Sequence, residues 1–170
     1  MSSLENKIDF AVILKVTNAN PNGDPLNGNR PRVDFSNRGE ISDVCIKRKI
    51  RDRLLENGHA IFVQSNDRNI DGESSLRARA ESEKNGLGKN MFGEGANKED
   101  VIRMACKKWF DVRAFGQLFA FKSKKNKKEE GDTGVSIGIR GPVTLQSAFS
   151  VDPIEICDMQ ITKSVNSENN

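Results

Sequence analysis

The sequence predicts an α+β fold, and three observations point to it. Ile8 to Thr17 alternates apolar and polar side chains with a period close to two. Two later stretches, 41–58 and 97–109, space their apolar residues three and four apart. The stretch 134–154 returns to alternation between glycines and prolines. A period of two sorts side chains onto opposite faces of a strand, and a period near 3.6 gathers them into a helical stripe.

The first element is a strand. Ile8, Phe10, Val12, Leu14 and Val16 share one face and are expected to back onto a core. NANPNGDPLNGNRPRVD, Asn18 to Asp34, follows. Its prolines remove backbone donors, and its Gly and Asn residues favour turns, so it is neither helix nor central strand. An ordered loop of this length in a compact domain is usually functional. It is expected to order only against a polyanion or a neighbouring subunit.

ISDVCIKRKIRDRLLENG reads as a helix, with Ser42 as N-cap, Asp43 in the first turn and Asn57-Gly58 at the end. Ile46, Ile50 and Leu54 form its buried stripe. HAIFVQ, His59 to Gln64, is a short strand candidate. Residues 65–97 are polar and Gly-rich and read as a mobile insertion containing a short exposed helix in SSLRARAESEK. A second amphipathic helix is capped by Asn97, carries Glu99 and Asp100 in its first turn, and buries Val101, Ile102, Ala105, Cys106 and Trp109. RAFGQLFAF follows, with Phe119 assigned to the core, then the solvated run KSKKNKKEEGD and the strand-rich GVSIGIRGPVTLQSAFSVDPI. The terminal SVNSENN is expected to be disordered. Strand, helix, strand, insertion, helix, strand is the order of a ferredoxin-like or RNA-recognition-motif sandwich. The 170 residues divide as one domain: 8–64 the first half, 65–97 the insertion, 98–157 the second half and 158–170 a tail.

The net charge of +3 alone implies no particular partner, but its distribution does. Between Arg30 and Arg53, eight cations face four carboxylates, a net +4 that exceeds the charge of the whole chain. Cys45, Cys106 and Cys157 lie far apart and His59 is the lone histidine, so neither a zinc site nor a disulfide framework is expected. This usage fits a reducing, cytoplasmic setting. No apolar run reaches the ~18 residues of a membrane span, and MSSLENKID lacks the apolar centre of an export signal.

The cations make a phosphate-binding site the leading reading. Lys47, Arg48, Lys49 and Arg51 share the first helix, and nearby acids cannot neutralise all of them. The preceding loop offers Asn20, Asn22, Arg30 and Arg32, with backbone N–H groups that can approach a phosphodiester. Arg140 and Gly141 in GIRGPV suit a close backbone approach to a polyanion, and Arg113 supplies a further cation. Arg113, Phe115 and Gly116 fit the RNA-recognition signature, but Ala114, Gln117, Leu118 and Ala120 do not, so no such signature is assigned. NGLGKN lacks the ending of a phosphate loop. Catalysis finds little support: Asp24 and Asp34 read better as turn carboxylates than as metal ligands.

Taken together, NPNGDP followed by GNRPRVD, then ISDVCIKRKIRD, DVRAFGQLFA and GIRGPVTLQSAFSVDPI, resemble the backbone subunit of type I-C CRISPR interference complexes. This is the Cas-seven family, within the RAMP superfamily. The resemblance runs from Ile8 to about Thr162. It implies a modified RNA-recognition-motif palm with inserted loops, in copies stacked along a guide RNA beside other Cascade subunits. Such subunits grip the sugar–phosphate chain without reading sequence, and the guide's bases pair with target DNA. Family members continue further, so the chain reads as an amino-terminal portion, incomplete at its C-terminus, with 158–170 a truncated thumb or a disordered tail. The resemblance implies neither catalysis nor a cofactor. Two alternatives are a RAMP-type metal-dependent endoribonuclease using Asp34, and a fragment that binds only neighbouring subunits.

Overall fold

The two long helices begin and end where local chemistry dictates. In α1 (Asp43–Glu56) the Ser42 hydroxyl accepts a hydrogen bond from Cys45 N at 3.3 Å, and Asn57 closes the C-terminal end. In α3 (Lys98–Lys108) the Asn97 side chain accepts from Glu99 N at 2.9 Å, with Glu99 and Asp100 against the positive end of the helix dipole. These elements lie in a computed structural model that describes residues 4–93, 95–121, 135–160 and 162. The chain divides into two compact units, 42–147 and the pair of segments 1–41 and 148–170.

The unit 42–147 builds a core. After α1 it carries α2 (Leu76–Glu81), α3, α4 (Phe110–Phe115) and the antiparallel pair of β4 (Gly116–Phe121) with β5 (Val135–Arg140). Phe62, Phe92, Val101, Ala105, Trp109, Val112, Phe119 and Ile137 are buried together. Phe62 meets the Trp109 ring at 4.7 Å and the Phe119 ring at 5.1 Å between centroids, in tilted and edge-on geometries that aromatic quadrupoles favour. The α3 stripe and Phe119 thus take the places that periodicity predicts.

Three expectations for this unit are corrected. The α1 stripe of Ile46, Ile50 and Leu54 is half-buried, and no α1 residue is fully buried. His59 to Gln64 is not a strand. Two of its backbone donors go to a side chain instead: Phe62 N and Val63 N donate to the buried Asp111 carboxylate at 2.7 and 3.1 Å. The short helix expected to be exposed within 65–97 is not: α2 buries Arg79 and Ala80. Arg79 donates Nε and NH2 to the two Asp71 oxygens at 2.6 and 2.9 Å and NH1 to Phe62 O at 3.0 Å. A buried guanidinium needs this full set of partners, and obtaining it fixes the segment.

The other unit is made of short ladders. β1 (Gly23–Asp24) pairs with β2 (Arg30–Pro31) around a 3₁₀ turn at Pro25–Asn27. β3 (Arg38–Ile41) pairs antiparallel with β6 (Ala148–Pro153), with a bulge between Arg38 and Glu40. Residues 8–16 join no ladder among the described residues, contrary to the strand expected there. Phe10, Val12 and Ile13 are exposed, so the alternation is present but nothing covers it. A strand is defined by its neighbour, and the pattern of one segment does not supply one. The runs KSKKNKKEEGD and SVNSENN lie outside the described residues.

Candidate nucleic-acid interface

The loop from Asn18 to Asp34 carries a hydrogen-bonded hairpin. Asn29 N donates to Asp24 O at 2.8 Å and Arg32 N to Asn22 O at 3.0 Å. Gly28 and Asn29 take φ of 59° each, the left-handed conformation that Gly and Asn tolerate. Asn20 donates to Asn29 O at 2.7 Å and Asn22 to Gly23 O at 3.1 Å. The amides therefore build the loop. Arg30 pairs with Asp158 at 2.6 Å and Arg32 with Glu40 at 3.3 Å, both on partly exposed surface. The Asp24 side chain caps the 3₁₀ turn through Leu26 N. Asp34 accepts from Ser36 N at 2.8 Å and Arg38 N at 2.9 Å. Among the described residues no group of three or more His, Cys, Asp or Glu side chains could hold a metal ion.

Helix α1 carries the basic cluster, and carboxylates engage most of it. Lys47 pairs with Asp43 one turn back at 3.0 Å. That hydrogen bond holds the Asp43 carboxyl below its ordinary range. Arg48 reaches Asp52 and Asp67, each at 3.2 Å. Arg51 is largely buried: its Nε donates to Asp111 at 3.0 Å and its guanidinium lies 5.3 Å over the Phe115 ring. Lys49 is exposed with no ion pair among the described residues. Sequence analysis expected the acids to be too few for all four cations, and Lys49 is the one left over.

Arg113 is exposed on α4, stacked 5.0 Å from the Phe110 ring, with NH1 donating to Cys106 O at 3.5 Å. His59 packs against the same ring at 5.1 Å. Arg140 is exposed at the end of β5. Gly141 has an intramolecular explanation: a Cβ there would strike the Ala114 carbonyl, which also accepts from Val143 N at 2.9 Å. Gly116, with φ of 80°, is equally constrained by the Ile139 carbonyl. The close backbone approach at this turn is made, among the described residues, to its own chain, which leaves the predicted polyanion contact as a separate proposal. Arg38, absent from the predicted site residues, is exposed with no side-chain partner among the described residues. Its signal was only its place in the 30–53 cluster.

The family described as CRISPR-associated protein Cas7 matches residues 6–170. The chain belongs to the Cas7 family. A CRISPR-associated protein Cas7 of Haloferax volcanii is 27% identical over 156 residues, which is 88% of this chain and 44% of the relative. The chain therefore spans less than half the length of the curated Cas7 relative it matches. The mixed helix and strand content agrees with the α+β expectation. Among the described residues no helix is long and apolar enough to cross a membrane.

Proposed function

We propose that this chain is a guide-RNA-binding backbone subunit of a type I-C DNA-targeting surveillance complex. It works in the cytoplasm beside other copies of itself and other Cascade subunits, and meets target DNA through the guide. Its grip is on the sugar–phosphate chain and does not depend on sequence. The observation that carries the reading is Cas7 membership across 6–170, on a chain whose 30–53 segment concentrates positive charge. Backbone contacts position an RNA and leave its bases free to pair.

Within this reading the ligands divide by availability. Lys49, Arg113 and Arg140 present exposed cations and are the leading phosphate contacts. Lys47, Arg48, Arg30 and Arg32 would exchange or share a surface carboxylate for a phosphate, a small cost for exposed pairs. Arg51 would use its terminal NH groups while Nε holds Asp111. Asn20, Asn22 and Gly141 would shape the surface through the turns they build. The palm of an RNA-recognition-motif fold belongs to the same proposal. The subunit is read as noncatalytic, with Asp34 as a turn carboxylate whose Oδ1 accepts from Ser36 N and Arg38 N.

The test is the RNA content of the chain purified after co-expression with a CRISPR array and the other complex subunits. Mature guide RNA is expected to co-purify. Replacing Lys49, Arg113 and Arg140 by Ala is expected to weaken binding and flatten its salt dependence by roughly 0.7 per lost phosphate contact. Absence of RNA from an intact, folded chain in the assembled complex would refute the reading.

A further inference from the structure

We propose that Phe35 is a base-stacking residue, held by its turn with the ring facing single-stranded RNA. The inference rests on the RNA-binding reading above and adds a contact to the bases themselves. Phe35 is 111% exposed, more open than in an extended reference chain, so the protein shields essentially none of its ring. Phe62 and Phe119 show what this sequence does with a phenylalanine it needs for folding: both are at most 1% exposed.

The position of Phe35 is fixed by its neighbours. Asp34 N donates to Arg38 O at 3.0 Å and Asn37 N to Asp34 O at 3.1 Å. The Asp34 carboxylate accepts from Ser36 N and Arg38 N, and Asn37 takes φ of 58°. Val33 bridges Gly39 just outside the turn. A hydrogen-bonded turn therefore carries an aromatic ring that makes no contribution to a core. Pre-ordering of this kind lowers the entropy lost when the ring meets a ligand.

The surroundings favour a nucleobase over a protein pocket. The adjoining turn residues Asp34, Ser36, Asn37 and Arg38 are all polar. An apolar anchor in a protein interface needs a ring of neighbours that exclude water, whereas stacking needs only one exposed π face. Oδ1 of Asp34 holds two turn amides, and Arg38 in the same turn is an exposed cation able to meet the adjoining phosphate. Every base has a π face, so such a contact suits a sequence-independent grip.

The experiment measures binding of the full chain to fluorescently labelled single-stranded RNA. Phe35→Ala is expected to weaken binding by about five-fold to about a hundred-fold. Its salt slope should match the wild type, whereas Arg38→Ala should flatten the slope by roughly 0.7. Phe35→Trp should bind within about two-fold of wild type, and Phe35→Leu should fall with Phe35→Ala. The indole introduced by Phe35→Trp should be quenched by RNA, against the constant background of Trp109, which is only 2% exposed. RNA made of abasic nucleotides should abolish the difference between wild type and Phe35→Ala. Wild-type affinity in Phe35→Ala or Phe35→Leu overturns the inference and leaves RNA binding standing. So does a difference that persists on abasic RNA. Loss of partner-subunit binding at unchanged RNA affinity assigns Phe35 to a protein contact and also overturns it. A wild-type chain that binds no RNA removes both the inference and the function on which it rests.

Discussion

Residues 42–147 close around their own aromatic core, while residues 1–41 and 148–170 hold no buried residue among those described. Both regions contain well-patterned apolar segments. Val101, Ala105 and Trp109 find Phe62 and Phe119 across a few ångströms. Ile8, Phe10, Val12, Leu14 and Val16 stay 46–67% exposed and join no core among the described residues. Patterning makes a segment able to bury a face, but burial requires a second surface of matching chemistry. Unmatched, a long apolar segment with free backbone donors and acceptors invites association.

The sharpest way to break this comparison is to delete one phenylalanine from each region. Phe119→Ala removes a side chain at 0% exposure and is expected to cost about 3–5 kcal/mol. Phe149→Ala, at 54% exposure, is expected to change stability by less than about 1 kcal/mol. Chemical denaturation followed by Trp109 fluorescence gives the first value, and hydrogen exchange at β3 and β6 gives the second. Equal losses would mean that the open region is as well packed as the closed one.

Asp111→Ala tests whether the core needs its buried carboxylate. It strands Arg51 and the two backbone donors at Phe62 and Val63, at an expected cost of about 3 kcal/mol or more. A midpoint within the error of wild type in the same denaturation would show that water replaces the carboxylate.

Acid sharpens the comparison within the closed region. The Arg79 hydrogen bond holds the Asp71 carboxyl below the usual aspartate range of about 3.9. A carboxyl lowered by folding stabilises the fold above its unfolded value, and that stabilisation is lost as pH falls through the lowered one. Residues 65–97 are therefore expected to become protease-sensitive as the pH falls below about 4, and Asp71→Asn to make them so at neutral pH. Cleavage by an acid-active protease that does not rise across this fall would exclude the Arg79–Asp71 pair as the anchor.

The smallest effect belongs to the exposed segment. Ile13→Lys, at a side chain 96% exposed, is expected to leave the Trp109 transition within about 0.5 kcal/mol while reducing self-association in light scattering. Unchanged association would locate the sticky surface elsewhere.

The helices were legible because helix chemistry is local. Ser42, Asn57 and Asn97 cap the elements they were expected to cap, since a capping side chain and its backbone partner lie two to four residues apart. The candidate site was legible as composition: the 30–53 cluster is visible in the sequence, and so is its excess over nearby acids. Which cations are spoken for was not. Arg51 meets a carboxylate sixty residues away, and Arg30 one that lies 128 residues on.

The sequence by itself determined the capped helices, the α3 stripe, the excess of positive charge and the short strings that mark a Cas7 protein. Tertiary structure alone decided that Phe62 and Val63 give their donors to Asp111, that Arg79 ties a polar segment to the core, and that 8–16 joins no ladder among the described residues. The division has one physical reason. A helical hydrogen bond joins residues four apart, so one window holds both partners. A ladder, a buried ion pair or a packed ring draws its partner from a distant part of the chain, as Gly39 does when its N–H reaches Ser150 across 111 residues.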